Sequence, residues 1–141
     1  MFENTIEKEI EFTLVQGESR SEFLPAYFGM NLMIVGENVV YQFADLLADK
    51  YNGGIWKFYN LSNGGFYMAL DNDENIEISV NGNFFSNDMS SDAASIVINM
   101  FALSYLYSNH PKCTYLIENY YKLKEFASQH KEAQLILAAI D

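Results

Sequence analysis

A chain of 141 residues, half of them hydrophobic and 16% aromatic, is long enough to bury a sizeable core as one domain and is far from a disordered composition. Its formal charge of −11 is placed unevenly, with 15 acids and 4 bases in residues 1–92 and four of each in residues 93–141. That balance argues against nucleic-acid binding through a basic face and permits a basic partner, for instance the DNA groove of an enzyme, while also serving solubility.

Residues 1–20 carry a weak signal. Ile10, Phe12 and Leu14 alternate with Glu11 and Thr13, the period of a half-buried strand, and Glu7 and Glu9 suit its solvated side. The opening MFENTIEKEIEF is acidic and lacks the basic and apolar regions of a signal peptide. SEFLP (21–25) reads as a helical turn closing at Gly29, with Ser19 or Ser21 as N-cap. Gly36 is expected to open a clearer helix running to about Tyr51. Val39, Val40, Phe43, Leu46 and Leu47 form its apolar stripe, opposite Asn38, Gln42, Asp45 and Asp49. Asp45 and Asp49 read as solvated surface rather than a metal site.

Residues 51–70, YNGGIWKFYNLSNGGFYMAL, hold the single tryptophan and four of the eight glycines. Residues 55–61 and 66–70 have the aromatic and β-branched content of strands, and Ser62, Asn63, Gly64 and Gly65 supply a tight reversal between them. Alternation puts Trp56 and Phe58 on one face, and Ile55, Lys57 and Tyr59 on the other. Lys57 belongs in water, so Trp56 and Phe58 are expected in the core and Tyr59 outside. Phe66 and Tyr67 cannot be placed by the same logic.

The acidic turn 71–75, DNDEN, has a D-x-D spacing but lacks the glycine and glutamate that complete a calcium loop. Ile76, Ile78 and Val80 alternate with Glu77 and Ser79 as a third strand. Asn81 and Gly82 turn the chain into a short fourth strand at Asn83, Phe84 and Phe85. Ser90 or Ser91 caps the longest apolar helix, with Asp92 at its positive end. Ser95, Asn99 and Ser104 interrupt residues 93–107, so that run is too short and too polar to span a bilayer. A helix over about 114–129 has Leu116, Tyr120, Leu123 and Ala127 inside and a Glu118–Lys122 ion pair outside. A last helix, about 131–140, buries Ala133, Ile136 and Ile140. The fold class is therefore α+β: a small antiparallel sheet of three or four strands packed against several helices in a single domain, residues 1–141.

Little here points to chemistry. His110 and His130 sit at predicted helix ends, where an imidazole can bond the free carbonyls of the last turn. Cys113 lies three residues from His110 across a proline turn, with nothing to orient a base. One cysteine and two histidines are too few for a zinc site, and no phosphate-binding glycine loop is present. No enzyme activity, metal or cofactor is expected. The lone cysteine suits a reducing cytoplasm.

Several motifs make the chain resemble a known family. WKFYNLSNGGFYMA (56–69), FLPAYFG (23–29), GENVVYQFADLL (36–47), VNGNFF (80–85), MSSDAASIVINMFALSYL (89–106) and the ending AAID (138–141) are similar to the antirestriction family of ArdB and KlcA. The match covers roughly residues 20–141 in the family's order. The chain departs from the family's pattern with Asn60 for a common glutamate, Leu70 for a proline and Ser95 for a glycine.

The resemblance implies a protein that protects incoming mobile-element DNA from host type I restriction–modification enzymes. DNA mimicry is disfavoured on arithmetic: covering about 30 Å of duplex, at one charge per about 1.7 Å, needs roughly 18 ordered negative charges. This chain has 19 acids in all, on every face and offset by 8 bases. Docking on the restriction complex, or on a host factor regulating it, is the expectation, without direct nucleic-acid binding and without a membrane. The alternative is an accessory plasmid-maintenance protein. Partner-binding candidates are Tyr59, Asn60, Ser62, Asn63 and Tyr67 of the hairpin, Asp88 and Asp92 of the acidic segment, and Asp141. Asn63→Gly is expected to leave the fold intact, because glycine tolerates any φ.

Overall fold

A computed structural model describes residues 8–141, so the expectation for Glu7 lies outside the described residues. In chain order they form β1 (Phe12–Leu14), α1 (Arg20–Phe28), α2 (Met33–Leu47), β2 (Trp56–Leu61), β3 (Phe66–Leu70), β4 (Ile76–Val80), β5 (Phe85–Met89), α3 (Ser91–Asn109), α4 (Thr114–Ser128) and α5 (Ala133–Ile140). The architecture is α+β, with two small antiparallel sheets. One is ordered β1-β2-β3 and the other is the hairpin β4-β5. No single described helix is long and apolar enough to cross a membrane.

The two sheets stay separate because α3 occupies the edge of β3. Tyr59 opposes Tyr67 and Lys57 opposes Ala69 in the β2–β3 ladder, which turns the amides and carbonyls of Met68 and Leu70 outward. Ser91, Ser95 and Asn99 fall one turn apart on α3 and meet them. The Met68 amide donates to Asn99 Oδ1 at 2.9 Å, and Asn99 Nδ2 donates to the Met68 carbonyl at 2.7 Å. The Leu70 amide donates to Ser95 Oγ, and Ser91 Oγ donates to the Leu70 carbonyl. A stripe of polar side chains in an otherwise buried helix thus stands in for a fourth strand. All five residues of β3 are buried in consequence, which explains why alternation could not place Phe66 and Tyr67.

Helices α1 and α2 cover one face of the sheet. Phe23 stacks on Phe58 at 4.4 Å, Phe28 meets Phe66 edge-on, and Tyr41 and Tyr51 pack on Trp56. Trp56 and Phe58 are core, as expected, and Lys57 reaches water to pair with Asp71 at 3.1 Å. On the other face Phe126 of α4 packs on Tyr67 and Phe12. The strand expected near the N-terminus exists, yet Phe12 and Leu14 remain exposed because that face of the sheet is only partly covered.

Gly36 differs from its expected role. The helix begins at Met33, and Gly36 lies inside it because a Cβ there would stand 2.6 Å from the Phe28 ring. Leu46, assigned to the apolar stripe, is exposed, and Ala44 takes its place. Lys122 does not pair with Glu118; the ion pairs among the described residues are Lys57–Asp71 and His130–Asp92. Lys122 instead lies along the turn between β2 and β3, against Gly64 and Gly65.

Candidate partner-binding surface

The β2–β3 turn is docked rather than free. Asn63 Oδ1 accepts from the Gly65 amide at 3.0 Å, closing the turn on itself, and its Nδ2 donates to the Lys122 carbonyl at 2.9 Å. Ser62 joins the turn to the N-terminal segment: its amide donates to the Glu11 carbonyl, and its hydroxyl accepts from the Glu11 amide. Both side chains therefore hold the turn in place. Asn60 is exposed and accepts from the Tyr27 hydroxyl at 2.6 Å. Tyr59 is half-buried, stacked on Tyr67 and met edge-on by Phe12. Of the hairpin candidates, Asn60 and Ser62 are exposed, and only Ser62 ties the turn to the N-terminal segment.

Tyr67 corrects the expectation of a partner-facing residue, because it is 1% exposed. Its hydroxyl donates to Asp92 Oδ1 at 2.8 Å, while His130 Nε2 lies 2.8 Å from Asp92 Oδ2. His130 Nδ1 accepts from the Glu132 amide, so Nε2 carries the proton and donates to Asp92. The sequence places this imidazole against helix-end carbonyls; it bridges the turn between α4 and α5 to the start of α3 instead. Glu132 completes the chain by accepting from both the amide and the hydroxyl of Ser90, the N-cap of α3. Burial pushes the Asp92 carboxyl up, but the bonds from His130 and Tyr67 outweigh it and hold its pKa below the ordinary range. Burial, with the Asp92 charge beside it, raises the Tyr67 phenol. Both nitrogens of His130 are engaged, so the ring has no free base to offer, and the constellation serves as a clasp between elements.

The remaining candidates gather near the second hairpin. Asp88 on β5 is exposed and stands directly opposite Glu77 on β4. Asp141 is exposed at the end of α5, and its backbone carbonyl accepts from Asn83 Nδ2 at 3.1 Å. A groove of about 340 Å³ runs beside this hairpin, lined in part by Lys50, Asn72, Glu74, Glu77 and Asp88. Among the described residues, no group of three or more His, Cys, Asp or Glu side chains is placed to share a metal.

Phe84 was assigned to a strand and lies in the turn instead, because β5 starts at Phe85. It is 92% exposed, with φ of +60°. A signal for this was present: neighbouring residues of a strand face opposite sides, so Phe84 and Phe85 could not both reach one core.

The comparisons agree with this architecture. The model of a family described as antirestriction protein matches residues 49–141. The antirestriction protein KlcA of Escherichia coli is 43% identical over 98% of this chain and 99% of its own length. The uncharacterized protein YafX of E. coli K12 is 38% identical, over 98% of this chain and 92% of its own length. A solved structure of the KlcA and ArdB proteins, described as a novel fold with antirestriction activity against type I DNA restriction systems in vivo but not in vitro, superposes with a TM-score of 0.89. It is 44% identical and covers 99% of this chain and 100% of that one. With a matched fold and near-complete coverage at this identity, the chain belongs to the antirestriction protein family.

Proposed function

We propose that this protein counteracts type I restriction–modification systems in the cell by docking on a protein partner, not by catalysis and not by imitating DNA. The observation that carries the reading is end-to-end likeness to the KlcA and ArdB proteins in both sequence and fold. Their activity in vivo but not in vitro supports a route that needs a cellular component absent from a purified reaction, either a host factor or the restriction complex in its cellular state. The clasp of Tyr67, Asp92 and His130 supports binding over chemistry, since its acid and its imidazole are spent on each other. Tyr59, Asn60, Asp88 and Asp141 are the sequence candidates proposed to face the partner.

Plating of unmodified phage on a type I restricting strain, with and without expression of this chain, tests the reading. Restored plating is expected. Unchanged restriction across several type I systems would overturn it and leave the accessory plasmid-maintenance role.

A further inference from the structure

The turn between β4 and β5 is built rigidly and then given a residue that its backbone disfavours. Asn83 Oδ1 accepts from the Phe85 amide at 3.0 Å, while its Nδ2 donates to the Ala139 carbonyl at 2.9 Å and to the Asp141 carbonyl at 3.1 Å. One side chain therefore shapes the turn and fastens it to the end of α5. The next residue, Phe84, is the one non-glycine residue with positive φ among those described. That conformation favours glycine or asparagine, and a bulky side chain there is an outlier. Its ring, 92% exposed, recovers nothing by packing inside the molecule. Stability alone would select glycine at this position.

Two acids also face each other at the end of the hairpin away from the turn. Glu77 and Asp88 are directly opposite each other in the ladder, an arrangement that costs stability, and neither forms an ion pair among the described residues. Both fall on the hairpin's outer face, four residues from Phe84 in the case of Asp88, about 13 Å along a strand. A second copy of the chain would meet these acids with its own, at a net charge of −11 on each.

We propose that Phe84 is the docking anchor of this protein, inserting into an apolar pocket with a basic rim on the partner protein. A lone exposed aromatic on a preorganised turn has the character of an interface hot spot, and the opposed Glu77 and Asp88 give a cationic group on the rim a place to bind. The proposal rests on the antirestriction reading above and supplies its contact surface.

The test uses Phe84→Gly and Phe84→Trp in the full chain, measuring thermal melts and phage plating on a type I restricting strain. Phe84→Gly removes the strained backbone, so its melt should hold or rise, by roughly 3 °C. It should nonetheless lose protection, since truncating a hot-spot aromatic weakens docking by roughly 30-fold or more. Phe84→Trp should protect as the parent does. Full protection by Phe84→Gly overturns the anchor and leaves the docking reading standing. A clearly lowered melt of Phe84→Gly also overturns it, by showing that the ring serves the fold. No protection by the parent chain removes the antirestriction reading, and the anchor falls with it.

Discussion

The backbone amide of Leu70 donates to the hydroxyl of Ser95 at 2.9 Å, and that hydroxyl donates onward to the Ser91 carbonyl. Leu70 and Ser95 stand where the family resemblance leads one to expect proline and glycine, as two separate departures. The structure joins them into one, because a proline has no amide to satisfy and a glycine has no hydroxyl to satisfy it with.

A double-mutant cycle should expose that link. Ser95→Gly alone strands a buried amide, at about 1–3 kcal/mol, besides the helix penalty of about 1 kcal/mol for glycine. In a Leu70→Pro background the amide is gone and only the helix penalty remains. Urea unfolding of the four proteins should give a coupling energy of about 1–2 kcal/mol. Strictly additive effects would show that the hydroxyl does not serve the strand edge.

Gly36→Ala sets two effects of opposite sign against each other. Helix propensity favours alanine by roughly 0.5–1 kcal/mol. The added Cβ would stand 2.6 Å from the buried Phe28 ring, and overpacking of a tight core costs about 1–3 kcal/mol. Packing should win, lowering the melting temperature. A rise would mean that Phe28 has room to move.

Asp92 should make stability depend on acid. Its folded pKa is depressed, so its contribution is present above the unfolded value, about 3.9, and is lost as pH falls through the lower folded value. Asp92→Asn removes the charge and turns an amide N–H₂ or a weaker acceptor toward the proton on His130. Melts from pH 7 to pH 3 should show the variant less stable at neutrality, with the gap closing below about pH 4. A gap that stays constant with pH would detach the clasp from the Asp92 charge.

The two asparagines of the first hairpin should behave oppositely. Asn63→Gly loses the bonds to Gly65 and to the Lys122 carbonyl and should destabilise by about 1–3 kcal/mol, contrary to the tolerance expected from φ alone. Asn60→Ala, at an exposed site, should change stability by less than about 1 kcal/mol. Equal losses in chemical denaturation would contradict this division.

By itself the sequence determined what is local and periodic. Alternation of Trp56, Lys57 and Phe58 set which faces of β2 meet core and water, and glycine and asparagine chemistry located the 62–65 turn within a residue. Spacing narrowed the cap of α3 to Ser90 or Ser91, and the structure selects Ser90. Its motifs also sufficed to identify the family. Tertiary structure alone decided whatever depends on a partner distant in the chain. Nothing near Asn99 signals that its amide would replace a strand beside Met68, 31 residues away. Nothing near Tyr67 announces Asp92 and His130, or near Asn83 the end of α5. A polar residue in an apolar helix reads as an interruption until the edge that it satisfies is in view. An aromatic beside a second aromatic reads as core until the register shows which of the two is left in solvent. Propensity and periodicity act over a turn or two of chain, whereas burial and hydrogen-bond satisfaction are settled only by what packs against each group.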